Sequence, residues 1–100
     1  MLYVFHLIDK PGVGELRLRV RPEHKVYLRA VENQIAFAGP LLAEDGETMV
    51  GSLLVIDFAS IGAARRWLAE EPFTRAGVYA TSAIHAFNNM WQQKTGFPAA

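Results

Sequence analysis

The residues best placed to do chemistry in this chain centre on His24, in the run Arg21-Pro22-Glu23-His24-Lys25-Val26-Tyr27-Leu28. Proline is tolerated in the first turn of a helix, where its missing N–H costs nothing, so Pro22 reads as a helix start. Tyr27, Leu28 and Val31 then follow His24 at i+3, i+4 and i+7, the spacing of one helix face. That face turns inward and carries the imidazole with it, while Glu23, Lys25, Arg29 and Glu32 fall mostly elsewhere. A buried ring nitrogen without a partner costs about 1–3 kcal/mol. The expected partner is Asp9, across a shallow cleft. A carboxylate on one ring nitrogen fixes the tautomer and stabilises the imidazolium. The other nitrogen is then free to take a proton, and an ordinary histidine pKa of about 6.5 suits that work at neutral pH. The residues alone leave a plainer alternative open: Asp9 as a turn aspartate before Lys10-Pro11-Gly12, and His24 as an inward histidine satisfied by its surroundings.

Other candidates are weaker. Ser52 follows Gly51 at a strand start and offers a hydroxyl to the same cleft, but no Gly-x-Ser-x-Gly elbow surrounds it. Tyr79 lines that cleft or fills a core between subunits. Gly39-Pro40 shapes a strand bend, with Pro40 on the cleft wall. Arg17, Arg19 and Arg21 alternate ahead of His24, and one of them, Arg21 being the nearest, would receive an anionic substrate group. His6 and His85 lie on the first and last strands, but two histidines fall short of the three protein ligands of catalytic zinc, so no metal site is expected. Arg65-Arg66 and Glu70-Glu71 read as a solvated helix face. Gly12-Val13-Gly14 lacks the rest of any phosphate-binding loop.

The elements that must position these groups follow from apolar periodicity. Residues 2–8 alternate Tyr3, Phe5 and Leu7 against Leu2, Val4, His6 and Ile8, which gives a strand apolar on both faces. Residues 13–20 read as a helix that Pro22 breaks or kinks, and the main helix runs from there to about Asn33. Residues 34–42 form a second strand. Pro40 cannot donate to a ladder, which assigns this strand to a sheet edge or a bulge. Glu44-Asp45-Gly46-Glu47 is a hairpin connection to a third strand at 51–58. Ser60 caps a second helix at 61–70, with Ile61, Ala64, Trp67 and Leu68 inward. Pro72 ends it, and residues 78–87 form a fourth strand. The order β-α-β-β-α-β predicts a ferredoxin-like α+β fold with a four-stranded antiparallel sheet and both helices on one face. The other face is apolar and open, so two copies are expected to pair through their sheets.

One hundred residues make a single domain, residues 1–100, with a core at 1–87 and a tail at 88–100 containing Met90, Trp91 and Phe97. Ten basic and ten acidic residues cancel and are scattered, without the basic stripe of a nucleic-acid binder. There is no cysteine, hence no disulfide or thiolate chemistry. No apolar run approaches the roughly 20 residues of a membrane span. Residues 1–8 lack a basic leader and a small-residue cleavage site, which makes a cytoplasmic protein the expectation.

Arg21-Pro22-Glu23-His24, Ala38-Gly39-Pro40-Leu41, Gly51-Ser52-Leu53-Leu54-Val55, and Glu71-Pro72-Phe73 through Ala76-Gly77-Val78-Tyr79 occur in the order and spacing of the YciI-like (YCII-related) family. The chain resembles that family over roughly residues 1–87. The resemblance implies the dimeric α+β barrel fold and a His–Asp dyad, which falls here on His24 and Asp9. Some relatives act in aromatic-ring degradation, including dehydrochlorination. Two positions depart from the family pattern: Glu71-Pro72 stands where Asp-Pro is usual, and Met90-Trp91 extends an end that is usually short and basic. The expected function is therefore a cofactor-free enzyme, a lyase or isomerase, with His24 as general acid and base on a small cyclic or aromatic substrate. The alternative is a non-catalytic ligand-binding or interaction module in which the same residues only tie helix to sheet.

Overall fold

Residues 1–91 and 93 are described by the computed structural model. Its sheet is built on β1 (Leu2–Asp9) and β3 (Met49–Asp57), the two strands with the longest apolar runs, which pair antiparallel at the centre. β2 (Ile35–Leu42) flanks β3 and β4 (Tyr79–Phe87) flanks β1, giving the order β2-β3-β1-β4 with every pair antiparallel. Pro40 thus sits on an edge strand, opposite Ser52, where its missing N–H breaks no ladder bond. The helices are α1 (Gly14–Arg29), α2 (Ile61–Ala69) and the short α3 (Pro72–Ala76). The order is the ferredoxin-like βαββαβ arrangement with α3 added ahead of β4.

Register decides which side chains meet the helices. Phe5 lies opposite Leu54 and Ile84, and Tyr3 opposite Ile56. These pack with Phe58, Ala64, Trp67 and Leu68 into the core, against Tyr27, Leu28 and Val31 of the α1 side. Trp67 meets Phe5 edge-on at 5.4 Å between centroids, and the Tyr27 hydroxyl donates to its carbonyl at 2.7 Å. The opposite face carries Val4, Leu53 and Phe37 around exposed His6 and His85. Phe37 is 45% exposed there and Phe87 37%.

Two prolines act otherwise than the sequence predicts. Pro22 neither starts nor breaks a helix: α1 runs through it as one 16-residue element that ends at Arg29, and a separate 3-10 turn spans Glu32–Gln34. The carbonyl that loses its partner is that of Leu18, four residues back. Leu18 and Pro22 are both exposed, which puts the proline on the outer side of the helix. Pro72 does more than end a helix. It opens α3, where its fixed φ suits the first turn. Ser60 caps α2 as expected, accepting from the Ala63 N–H at 3.1 Å. Met90 and Trp91 are exposed, and Phe97 lies outside the described residues. Among the described residues no helix is long and apolar enough to cross a membrane.

Candidate active site

Arg17 is the deepest charge on α1. It lies seven residues before His24, on the same helix face, and is only 6% exposed. Its Nη1 donates to both oxygens of Asp9, at 3.0 and 2.9 Å. Its Nη2 donates to the Gly51 carbonyl at 3.1 Å and to Ser52 Oγ at 3.0 Å. The guanidinium carbon stands 4.7 Å from the centroid of the Phe73 ring, a cation–π contact. Gly51 makes this close approach of chains workable, since a Cβ there would overlap the Leu7 carbonyl oxygen. Burial pushes the Asp9 carboxyl above its usual range, and the charge and hydrogen bonds of Arg17 pull against that rise.

The other face of the same assembly is His24. Its ring stacks on Phe73, with centroids 4.0 Å apart and planes 13° from parallel. Its Nδ1 is hydrogen-bonded to Oε1 of Glu71. Glu71 is fully buried and is also the N-cap of α3, accepting from the N–H groups of Phe73 at 3.2 Å and Thr74 at 3.4 Å. The Tyr79 hydroxyl donates to its other oxygen at 3.2 Å. Burial, then the Glu71 charge, pushes the Tyr79 hydroxyl far above its ordinary range, so it remains a donor. Gly77, at φ +79°, ends α3 in the left-handed conformation and turns the chain into β4, which brings Tyr79 back to Glu71. Both Glu71 oxygens accept from other N–H or O–H donors, which makes Nδ1 the donor in its bond to Oε1. That leaves Nε2 with its lone pair and, among the described residues, no hydrogen-bond partner.

A cavity of about 400 Å³ opens beside this ring, between α1 and the β2–β3 side of the sheet. His24, Leu28 and Phe73 lie on one side of it, and Ala38, Gly39, Pro40 and Ser52 on the other. Arg17, Arg21, Lys25 and Arg29 run along its α1 side, with Glu32 at the end. The cavity wall therefore combines an imidazole, apolar contact and several cationic side chains.

Of the residues singled out from the sequence, His24, Arg21, Ser52 and Pro40 line this one cavity. Tyr79 stands behind Glu71 and does not line it. The expected Asp9–His24 hydrogen bond is not formed. Both Asp9 oxygens are taken by Arg17, and Asp9 lines a separate hollow of about 270 Å³ with the Lys10–Gly14 turn. Arg17 carries a permanent charge and anchors its second nitrogen on Gly51 and Ser52, so its Nη1 is held against both Asp9 oxygens. The carboxylate on His24 is Glu71, which the sequence reading placed on a solvated face. Its signal was available: it directly precedes a proline, the place of an N-cap residue before a helix whose first position is proline. Arg17 was also legible, seven residues before His24. Arg65, Arg66 and Glu70 are exposed as expected. Among the described residues no three His, Cys, Asp or Glu side chains gather to hold a metal.

Known proteins share this arrangement of chain. A Haemophilus influenzae protein of uncharacterised function is 35% identical over 98 residues, covering 91% of this chain and all of the relative. Protein YciI of Escherichia coli is 34% identical over 98 residues with the same coverage, as is Protein YciI of Shigella flexneri. Among solved structures, the chain is similar to 5-chloro-2-hydroxyhydroquinone dehydrochlorinase (TftG) of Burkholderia phenoliruptrix, in complex with 2,5-dihydroxybenzoquinone. That match has a TM-score of 0.81 at 26% identity and covers 88% of this chain and 94% of the other. The YCII-related domain matches residues 1–88, a span that holds the whole sheet, all three helices and every residue of the cavity wall. The chain belongs to the YCII-related domain family.

Proposed function

We propose that the cavity beside His24 is an active site for proton transfer on a small hydroxylated ring, in an elimination or isomerisation. The observation that carries this reading is the imidazole on the cavity wall, with Nδ1 held by a buried carboxylate and Nε2 unpartnered among the described residues. The likeness to a dehydrochlorinase with a hydroxylated quinone bound supports the choice of substrate class. In such an elimination one proton moves from a ring hydroxyl to the carbon bearing the leaving group, giving the keto tautomer. A second hydroxyl then loses its proton as the leaving group departs with its bonding pair. The net loss is one H–X, with no oxidant consumed, so the reading needs no cofactor. His24 Nε2 carries both protons in turn, as base and then acid. Glu71 is the positioning residue behind it, and Arg17, paired with Asp9, holds the Ser52 hydroxyl on the cavity wall.

The test is binding of 2,5-dihydroxybenzoquinone near pH 7. A saturating ligand at a hundredfold excess over its Kd adds about 2.7 kcal/mol, a rise of roughly 10–20 °C in the thermal midpoint for a domain of this size. Ala38→Phe, which fills the cavity from the edge strand, should abolish that rise and leave the ligand-free midpoint near that of the parent. No stabilisation of the parent at millimolar ligand would end the reading. The non-catalytic alternative draws on a specific observation too: His24 stacks on buried Phe73 and holds the α3 cap, so it has structural work. The two are separated by turnover, argued below. The uncovered apolar sheet face supports pairing of two copies through it, with Phe37, Val4 and Leu53 at the contact. Sedimentation at micromolar concentration should give twice the chain mass; a monomer would remove that part.

A further inference from the structure

Four cations fall four residues apart on α1: Arg17, Arg21, Lys25 and Arg29. Each step of four advances about 40° around a helix, so the row winds slowly while staying on one side. All four line the cavity. Like charges at this spacing repel, and a row kept in spite of that repulsion needs negative charge to face it. At the start of the row that charge is present in the chain. Arg17 is neutralised by Asp9. At the other end Arg29 closes the helix and is exposed to water, sharing the cavity wall with Glu32 but forming no ion pair with it among the described residues. In the middle it is absent: among the described residues neither Arg21 nor Lys25 has an ion-pair partner, Arg21 is half-buried, and both border the same cavity as His24. Arg19, on the opposite face and exposed, does not line it.

We infer that Arg21 and Lys25 form an anion clamp on the helix side of the cavity, and that the ring compound it takes bears a carboxylate seated between them. The inference rests on the preceding reading for the ring and adds the acid. A forked guanidinium and a mobile ammonium on adjacent turns suit a carboxylate at a ring's edge. His24, three residues from Arg21 and one from Lys25, stays free to meet a ring hydroxyl.

Calorimetric titration of the parent, of Arg21→Gln/Lys25→Gln and of Arg19→Gln, with hydroquinone, 2,5-dihydroxybenzoate and benzoate, tests this. In the parent, 2,5-dihydroxybenzoate should bind at least tenfold more tightly than hydroquinone, with a preference that weakens as salt is added. The preference should vanish in the double variant and survive in Arg19→Gln. Hydroquinone binding as tightly as 2,5-dihydroxybenzoate in the parent, or a preference that persists in the double variant, overturns the clamp and leaves the ring reading standing. Benzoate bound as tightly as 2,5-dihydroxybenzoate, and only when Arg21 and Lys25 are intact, upholds the clamp and ends the ring reading. Binding of none of the three ends both.

Discussion

Replacing Arg17 with Met lowers the free energy of unfolding by about 3–5 kcal/mol at pH 7, the usual consequence of removing one partner from a buried ion pair. The side chains of Arg17 and Asp9 are 7% and 6% exposed, so water does not replace what is lost. Ser52 Oγ and the Gly51 carbonyl lose a donor in the same step. Urea denaturation measures the change, and a loss under 1 kcal/mol would show that the pair is solvated in solution. The dependence on pH has a definite sign. Burial holds the folded Asp9 above its ordinary 3.8, so the folded protein binds that proton more readily than the unfolded chain. Stability from this group is present at low pH and is lost as pH rises through the folded value. Without Arg17 the two influences that pull the value down are gone and desolvation acts alone, which carries the loss to higher pH. The gap between parent and Arg17→Met is therefore narrower at pH 4 than at pH 7. Asp9→Asn in the Arg17→Met background recovers part of the deficit at pH 7, because the uncompensated charge is removed.

His24→Gln lowers turnover in the proposed elimination by a factor of about 10² to 10⁴, the usual range for a lost general acid–base group. Gln keeps an N–H for Glu71 but has no basic nitrogen, so it separates the proton-transfer role from the structural one. The hydrogen bond it preserves limits the accompanying loss of stability to about 1 kcal/mol. KM changes much less than kcat, since the apolar wall and the cations remain. Glu71→Gln, by contrast, leaves the imidazole in place but removes the negative charge behind it, and a smaller fall in kcat follows. If His24→Gln turns over at the parental rate while losing more than 1 kcal/mol of stability, His24 is a packing residue and the module reading stands.

The element order and the inward turn of His24 were legible because helix and strand periodicities are local. Each rests on side chains within one or two turns, or within a single strand. The alternation in β1 separated Tyr3, Phe5 and Leu7 from Leu2, Val4, His6 and Ile8 but, with both faces apolar, left open which set the helices cover. Pro40 pointed to an edge or a bulge, and the sheet order makes it an edge. Pro22 was harder to read. A mid-helix proline removes one helix hydrogen bond, and whether the helix continues is set by the packing of the turns around it, here Arg17 before and Tyr27 and Leu28 after. The departure at Glu71 from the usual Asp-Pro was visible as a difference but not as a site.

The sequence by itself determined the βαββαβ order, the inward imidazole and the presence of carboxylates and guanidiniums able to satisfy it. Only the tertiary structure decided which carboxylate goes where. His24 takes Glu71, 47 positions along the chain, and Asp9 takes Arg17, eight away. Opposite charges are interchangeable in a string of letters. In the folded chain they are sorted by position: the docking of α3 against α1 brings the α3 cap beneath one ring nitrogen of His24, while the first turn of α1 holds Arg17 against Asp9 at the end of β1.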